Sequence, residues 1–236
     1  MARNYHLAER ECVAIAIEAA ERATSIDELY EEIRRYRGHE VAEREPYSPS
    51  QTSPFASPIM IVTEKPEPED HREGRPFSGD YGRVMRNAAS MIGIDLAACH
   101  IAYAVRWLPD EEKSPNKTQI AASRPFLMKE IELVGPRAIL AQGRGVIDSL
   151  VSWRGNVLDL YGQTMGYDND GDAIQMFMTA HPKFCNFQGT YFSTFVEDTR
   201  AFFERYGRME EQTAPGSWKG RDEAGDLTFK RLSKAA

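Results

Sequence analysis

Pro58-Ile59-Met60-Ile61-Val62-Thr63, running on into Glu64-Lys65-Pro66 and then to Arg75-Pro76-Phe77-Ser78-Gly79-Asp80, is the stretch whose reading decides the fold. Its first part is short, apolar and β-branched, the composition of a parallel strand buried on both faces. The residues after it cannot prolong the strand. Pro66 and Pro68 lack ladder donors, and Glu64, Glu67, Glu69 and Asp70 crowd like charges together. Gly74 and Gly79 bracket a Pro-Phe pair, and a helix is predicted from about residue 81. In an open α/β sheet, a long loop leaving the carboxyl end of a strand and running into a helix amino terminus is a ligand-binding position. The plainer reading is a surface connector with Phe77 as a core plug.

Working outward from that strand, apolar positions at helical spacing predict a helix over residues 6–22, with Leu7, Val13, Ile17 and Ala20 on its inner side. Ser25 followed by Glu28 is a capping-box pattern for a second helix to about residue 37, whose Ile26, Leu29, Ile33 and Tyr36 should face the sheet. Prolines at 46, 49, 54 and 58 make an extended connector. Further strands are expected over 99–105, 137–142 and 173–179, and helices over 81–92, 118–134, 143–152 and 191–206. Residues 154–172, rich in Gly and Asp, read as a loop or hairpin, and the polar tail beyond Gly207 as mobile.

Strands alternating with helices predict an α/β fold, a three-layer α/β/α arrangement around a central four-stranded parallel sheet. Three units follow: amino-terminal helices and connector over 1–51, a core domain over 52–207, and the tail over 208–236. All four strand exits then share one rim. They carry the loop after Thr63, the loop from Arg106, Gln142-Gly143-Arg144, and His181-Pro182-Lys183. Gly143-Arg144-Gly145 at a helix start admits a phosphate or simply permits the turn.

The bulk numbers narrow the class. The chain has 236 residues, 42% hydrophobic and 28% charged, the profile of one globular domain with extensions. No stretch nears the ~20 apolar residues of a membrane span, and the amino terminus lacks a signal-peptide core. A cytoplasmic monomer with no membrane contact is expected. Three well-separated cysteines, Cys12, Cys99 and Cys185, fit reduced thiols and form no metal motif. A formal charge of −7 argues against indiscriminate coating of nucleic acid but leaves room for a small basic face.

Several separated motifs together resemble the uracil-DNA glycosylase superfamily, specifically its iron–sulfur bacterial and archaeal branches. They are Glu64-Lys65-Pro66 through Gly74-Arg75-Pro76-Phe77-Ser78-Gly79-Asp80, Ala104-Val105-Arg106, Ala121-Ala122-Ser123-Arg124-Pro125-Phe126-Leu127, Pro136 through Arg144, and Thr179-Ala180-His181-Pro182. The resemblance covers about residues 26–206. It implies hydrolysis of the bond between deoxyribose and a base flipped out of single- or double-stranded DNA.

Residue by residue, the resemblance makes Phe77 the ring that stacks on the base and His181 the group facing the departing base oxygen. It offers Glu64 or Asp80 as the carboxylate that orients water or steadies a cationic sugar. Tyr103 and Pro66 fall in the base pocket, and Lys183, Arg144 and Ser78 at the DNA contact. Read without the family, each is an ordinary core, turn or surface residue.

Two departures bear on substrate and cofactor. At the four cluster-ligand positions stand Tyr36, His39, Trp107 and Ser123. An iron–sulfur cluster needs thiolates, so none is expected, and Tyr36 and Trp107 are expected to fill the volume. Tyr103 stands where the family often has an asparagine, whose amide offers the base edge both donor and acceptor. Lys65, Glu67 and Pro68 replace small residues that let backbone approach the base. The expectation is therefore a DNA glycosylase for a damaged, deaminated or modified base rather than ordinary uracil. The alternatives are an inactive DNA-binding or replication-accessory protein on the same scaffold and, third, a hydrolase or transferase of free nucleosides.

Overall fold

In the computed structural model, the described residues are 9–38, 42, 57–108, 114–151, 153–167, 174–186 and 189–207. Two helices open the chain, α1 (Glu9–Arg22) and α2 (Ile26–Arg35). They are followed by β1 (Ile59–Thr63), α3 (Pro68–Glu73), α4 (Asp80–Ile92), β2 (His100–Tyr103), α5 (Lys117–Val134), β3 (Ala138–Gln142) and α6 (Arg144–Leu150). The closing elements are β4 (Thr164–Tyr167), β5 (Ile174–Thr179) and α7 (Gly189–Tyr206). Much of the expected connector, His39 and the tail beyond residue 207 lie outside the described residues.

The sheet runs β2-β1-β3-β5-β4. β1 pairs in parallel with β2 and β3, and β3 with β5, so four strands point one way and end on one rim, as the sequence indicates. The expected count of four is corrected to five. β4 adds an antiparallel edge, Thr164 facing Phe177 and Tyr167 facing Ile174, so residues 164–167 of the region read as a loop or hairpin are a strand, and residues 168–172 lie outside the described residues. Four residues, one of them Gly166, give too little β-branched signal to separate a strand from a loop.

Side chains alternate between two cores. Met60, Val62, Ala102, Ile139, Ala141, Met176 and Met178 join α1, α2, α5 and α6 in one cluster. Ile59, Ile61, Ile101, Tyr103, Leu140 and Phe177 join α4 and α7 in the other. The three layers follow from this division.

α1 and α2 lie on α5 and on each other, so the inner face expected to meet the sheet meets a helix instead. α1 buries Cys12, Ala16, Ala19 and Ala20; of the expected inner face Ala20 is buried, Val13 half-buried and Ile17 exposed, and Leu7 lies outside the described residues. Small side chains allow the close approach of two helix backbones that bulky ones would prevent. A buried knot ties α2, α5 and β2 together. Glu130 accepts from Tyr30 Oη at 2.9 Å, contacts His100 Nε2 at 2.9 Å and pairs with Arg106, whose guanidinium lies 4.8 Å from the Tyr30 ring centroid. Burial alone would raise the Glu130 carboxyl, but Arg106 and His100 outweigh it and hold the group well below its usual range.

No helix among the described residues is long and apolar enough to cross a membrane.

Candidate active site

The rim is built from what each strand delivers as it ends. β1 hands on directly to Glu64, whose carbonyl accepts from Val105 N at 2.9 Å, so the sheet pairing extends past both strands and fixes the carboxylate's origin. That side chain is buried. Its Oε1 accepts from Gly145 N at 3.0 Å, and its Oε2 lies 3.4 Å from Lys183 Nζ. Lys183 Nζ also donates to Ser114 Oγ at 3.1 Å.

The Gly-Arg-Gly turn now has a reason. Gly143 has φ +92, and a Cβ there would stand 2.8 Å from His181 Cβ, while one on Gly145 would stand 3.1 Å from Glu64 Cγ. Both glycines let β3 and α6 close onto Glu64 and His181. Between them, Arg144 points outward and holds Asp148 with Nε 2.9 Å from each carboxylate oxygen.

His181 arrives after β5 and is buried. Its Nδ1 accepts the Lys183 backbone N–H at 3.1 Å, which assigns the neutral ring's proton to Nε2. Nε2 lies 3.4 Å from Thr63 Oγ1. Burial pushes the imidazole down to about 4, with Lys183 and Lys65 adding to the effect and Glu64 opposing it, so the ring is neutral at neutral pH. Burial would raise Glu64, but a protonated His181 at acid pH, the Lys183 ammonium and the Gly145 amide bring it below its ordinary value, and at neutral pH, with the ring uncharged, Lys183 and Gly145 keep it ionised. The rim therefore presents an ionised carboxylate beside a neutral imidazole whose Nε2 proton makes only a long contact to Thr63, the pair suited to aligning water and to meeting developing negative charge.

Phe77 is buried on the α4 side of the sheet, in the apolar cluster with Met85 and Tyr103. Its φ of +57 is the left-handed region, uncommon for an aromatic residue, and Gly82 accommodates it, since a Cβ there would lie 2.2 Å from the Phe77 carbonyl carbon. Tyr81, next to Gly82, meets the His181 ring edge-on at 5.4 Å between centroids. Consecutive residues of α4 thus touch the Phe77 backbone and the His181 ring, and the two rings stand at the same end of the molecule.

The loop that holds Phe77 is more ordered than its prolines suggest. Pro68 starts α3, and Asp70 Oδ2 accepts from Glu67 N at 2.9 Å, a side chain reaching back to cap the helix. Asp70 also accepts from Ser78 N at 2.7 Å and from Tyr103 Oη at 3.1 Å. Glu67 accepts from Tyr81 N at 3.0 Å and Gly82 N at 2.9 Å. The crowded carboxylates, expected to repel, are spread over separate amide donors. Burial raises both groups, and these donors pull each back.

The sequence-derived residues are therefore not all brought together. Glu64, His181 and Lys183 converge, and Phe77, Tyr103 and buried Pro66 lie on the adjoining loop and rim. Asp80 does not join them: its side chain is 68% exposed and pairs with Arg83 at 3.0 Å, because as the first residue of α4 it points to solvent. Ser78 Oγ is turned to the Arg75 carbonyl at 3.0 Å. Lys183, read as a phosphate grip, rests on the carboxylate instead. Asp70, Glu67 and Gln142 escaped the sequence reading. The Pro68 and Asp70 spacing signals a helix start, and Gln142 is an amide ending an otherwise apolar strand.

The model of the Uracil DNA glycosylase superfamily matches residues 49–202. The chain belongs to the uracil-DNA glycosylase superfamily. Membership carries the enzyme class, a DNA glycosylase hydrolysing N-glycosyl bonds. A type-4 uracil-DNA glycosylase of Pyrobaculum aerophilum is 27% identical over 149 residues, 61% of this chain and 76% of the relative. Those of Sulfurisphaera tokodaii and Thermotoga maritima are 27% and 30% identical, over 52% and 44% of this chain. Against these two the chain spans under two thirds of the relative's length, 59% and 58%.

The superfamily's iron–sulfur branch prompts a fit test at Tyr36, Trp107 and Ser123. Tyr36 and Trp107 stand 5.5 Å apart between ring centroids, and Phe126 lies 5.2 Å from Tyr36 and 6.3 Å from Trp107. Tyr36 Oη donates to the Cys12 carbonyl at 2.9 Å. A phenol, an indole and a hydroxyl are not cluster ligands, and the three rings fill the space between the helices with apolar contact. These residues do not fit an iron–sulfur cluster. His39, the fourth position, lies outside the described residues.

Proposed function

We propose that this glycosylase removes a damaged, deaminated or otherwise modified base that has been flipped from DNA, rather than ordinary uracil, and that it does so without an iron–sulfur cluster. The reading rests on one observation above all, the buried Glu64 carboxylate held by Gly145 N and Lys183 Nζ beside a neutral His181.

In this reading Phe77 supplies the stacking face, with Pro66 beside it. Glu64 aligns the water that meets the sugar carbon, and its negative charge steadies positive charge as the bond to the base opens. His181 directs its Nε2 proton at the base oxygen that gathers negative charge, a fixed donor that needs no reorganisation when the bond breaks. Lys183 keeps Glu64 ionised and oriented. Tyr103 argues against uracil, because its hydroxyl is committed to Asp70 and cannot replace both hydrogen bonds of an amide. Arg144, half exposed at the start of α6, is a rim cation for DNA phosphates.

A panel of oligonucleotides bearing uracil, hypoxanthine, 5-hydroxymethyluracil and glycosylated bases tests it. Abasic product is expected from at least one altered base and is expected to disappear in Glu64→Gln and His181→Ala. Salt-sensitive DNA binding with no cleavage of any member would instead point to a DNA-binding module. Purified protein without absorbance near 400 nm and without iron by elemental analysis is the expected cofactor result, and stoichiometric iron would overturn it.

A further inference from the structure

One buried polar atom on the rim has no use in the reading above. Gln142 ends β3 with its side chain fully buried, and among the described residues its Oε1 has no hydrogen-bond partner. Its Nε2 lies 3.2 Å from the Met85 thioether. Sulfur of this kind is a weak acceptor, so neither end of the amide is well satisfied. Leaving a buried amide in this condition is destabilising, and such a group in a native fold calls for a reason.

Its place is specific. Ile59, Ile61, Ala138, Leu140 and Phe177 fix which face of the sheet alternate residues occupy, and by that alternation Thr63, Gln142 and Thr179 end their strands on the α4 side. This is the face that carries Phe77 and Tyr103. Gln142 stands one strand from Thr63, whose hydroxyl meets His181. The next residue, Gly143, is the one pressed against His181 and Glu64.

We propose that Gln142 is the specificity-determining amide of this site, reading the edge of the flipped base from the end of β3. The proposal rests on the glycosylase reading and adds a substrate class to it. The asparagine expected at position 103 is a tyrosine, and an amide is found two strands away in the sheet order, past β1. Adjacent strands are about 4.8 Å apart, so the reading group is displaced sideways by roughly two such steps and the base must lie differently. With Nε2 on sulfur and Oε1 unpaired, the group offered first is an acceptor. It selects a ring N–H. The carbonyl beside that N–H can then take Nε2 away from Met85, whose flexible, unbranched side chain yields at small cost. The fitting class is a base with a lactam edge, N–H next to C=O, which deamination creates in purines and which oxidised or substituted uracils retain.

The test compares wild type with Gln142→Leu and Gln142→Glu on oligonucleotides in which each lactam base is set against its ring-N-methyl counterpart. Cleavage is read as kcat and KM, and binding is read separately on 2′-fluoroarabino analogues that resist cleavage. Wild type is expected to prefer the N–H base by about tenfold or more in both readouts. Gln142→Leu is expected to lose that preference while melting no lower than wild type, since the change removes an unsatisfied polar group. Should Gln142→Leu lower the melting temperature sharply, the amide is structural and the proposal fails. Cleavage whose preference survives in both variants overturns the role of Gln142 and leaves the glycosylase reading intact. No cleavage, with a Gln142-dependent binding preference, overturns the activity and keeps the base-reading role. Neither cleavage nor preference overturns both.

Discussion

Two clusters of buried charge lie in this fold, one between α2, α5 and β2 and one at the strand-exit rim, and they are built on opposite terms. In the knot of Tyr30, His100, Arg106 and Glu130, the carboxylate oxygens meet three donors, from α2, β2 and the segment that follows β2. At the rim, Glu64 has one amide and one ammonium, His181 offers its Nε2 only a 3.4 Å contact to Thr63, and the Gln142 oxygen has no partner among the described residues. Burial is the same in both. The carboxylates differ in how fully they are met, three donors on Glu130 against two on Glu64, although one Arg106 guanidinium nitrogen also has no partner among the described residues. That difference separates a carboxylate that holds the fold from one kept available for a ligand.

The largest expected effect breaks the rim. Glu64→Gln keeps an oxygen for Gly145 N but cannot carry the negative charge, so single-turnover cleavage should fall about 10²–10⁴-fold. The melting temperature should move little. A variant that unfolds would show that Glu64 is as structural as Glu130 and would erase the distinction.

Breaking the knot should give the mirror result. Glu130→Gln leaves Arg106 charged and buried, at a cost of about 3–5 kcal/mol in urea unfolding, with the rate per folded molecule unchanged. The double change Arg106→Met with Glu130→Leu should recover most of that loss, since a fully buried ion pair can be exchanged for apolar packing. No such exchange should rescue the rim.

Much of the contrast was legible in the chain. The run from Ile59 to Thr63, the glycines at 143 and 145 and the His181-Pro182-Lys183 exit placed four strand ends and the Glu64–His181 pair on one rim, because apolar runs and glycine turns are local signals. What escaped depends on contacts distant in sequence. Nothing near Glu130 or Arg106 announces their partnership. Nothing near Gln142 shows that its amide nitrogen meets a thioether. Asp80 was put forward as a catalytic carboxylate by its motif, yet a helix's first residue points wherever the helix axis dictates, and here that is solvent. α1 and α2 rest on α5 because their small and apolar faces match it, which periodicity alone could not distinguish from a match to the sheet.

The imidazole sharpens the comparison through pH. His181 is held at about 4 in the folded protein against an ordinary value near 6.5, so between those limits the unfolded chain binds a proton that the folded one refuses. Stability from this group is whole above about pH 6.5 and is lost as the pH falls toward 4, by up to roughly 3 kcal/mol. His181→Phe should flatten that acid limb of the urea-unfolding profile. An unchanged limb would mean that the ring is solvated in solution and that the rim is more open than its burial indicates.

Asp80 gives the smallest effect and the most exacting check. Its ion pair with Arg83 is exposed on both sides and is worth no more than about 1 kcal/mol. Asp80→Asn should therefore leave unfolding nearly unchanged and cleavage within about twofold, while Glu64→Gln abolishes it. The motif alone makes the two carboxylates equal candidates, and only their surroundings separate them. If Asp80→Asn slowed cleavage tenfold with the fold intact, DNA binding would have to draw the start of α4 inward. The water-orienting role would then pass from the end of β1 to the carboxylate beside Tyr81, and the rim as it stands without DNA would be only half of the working site.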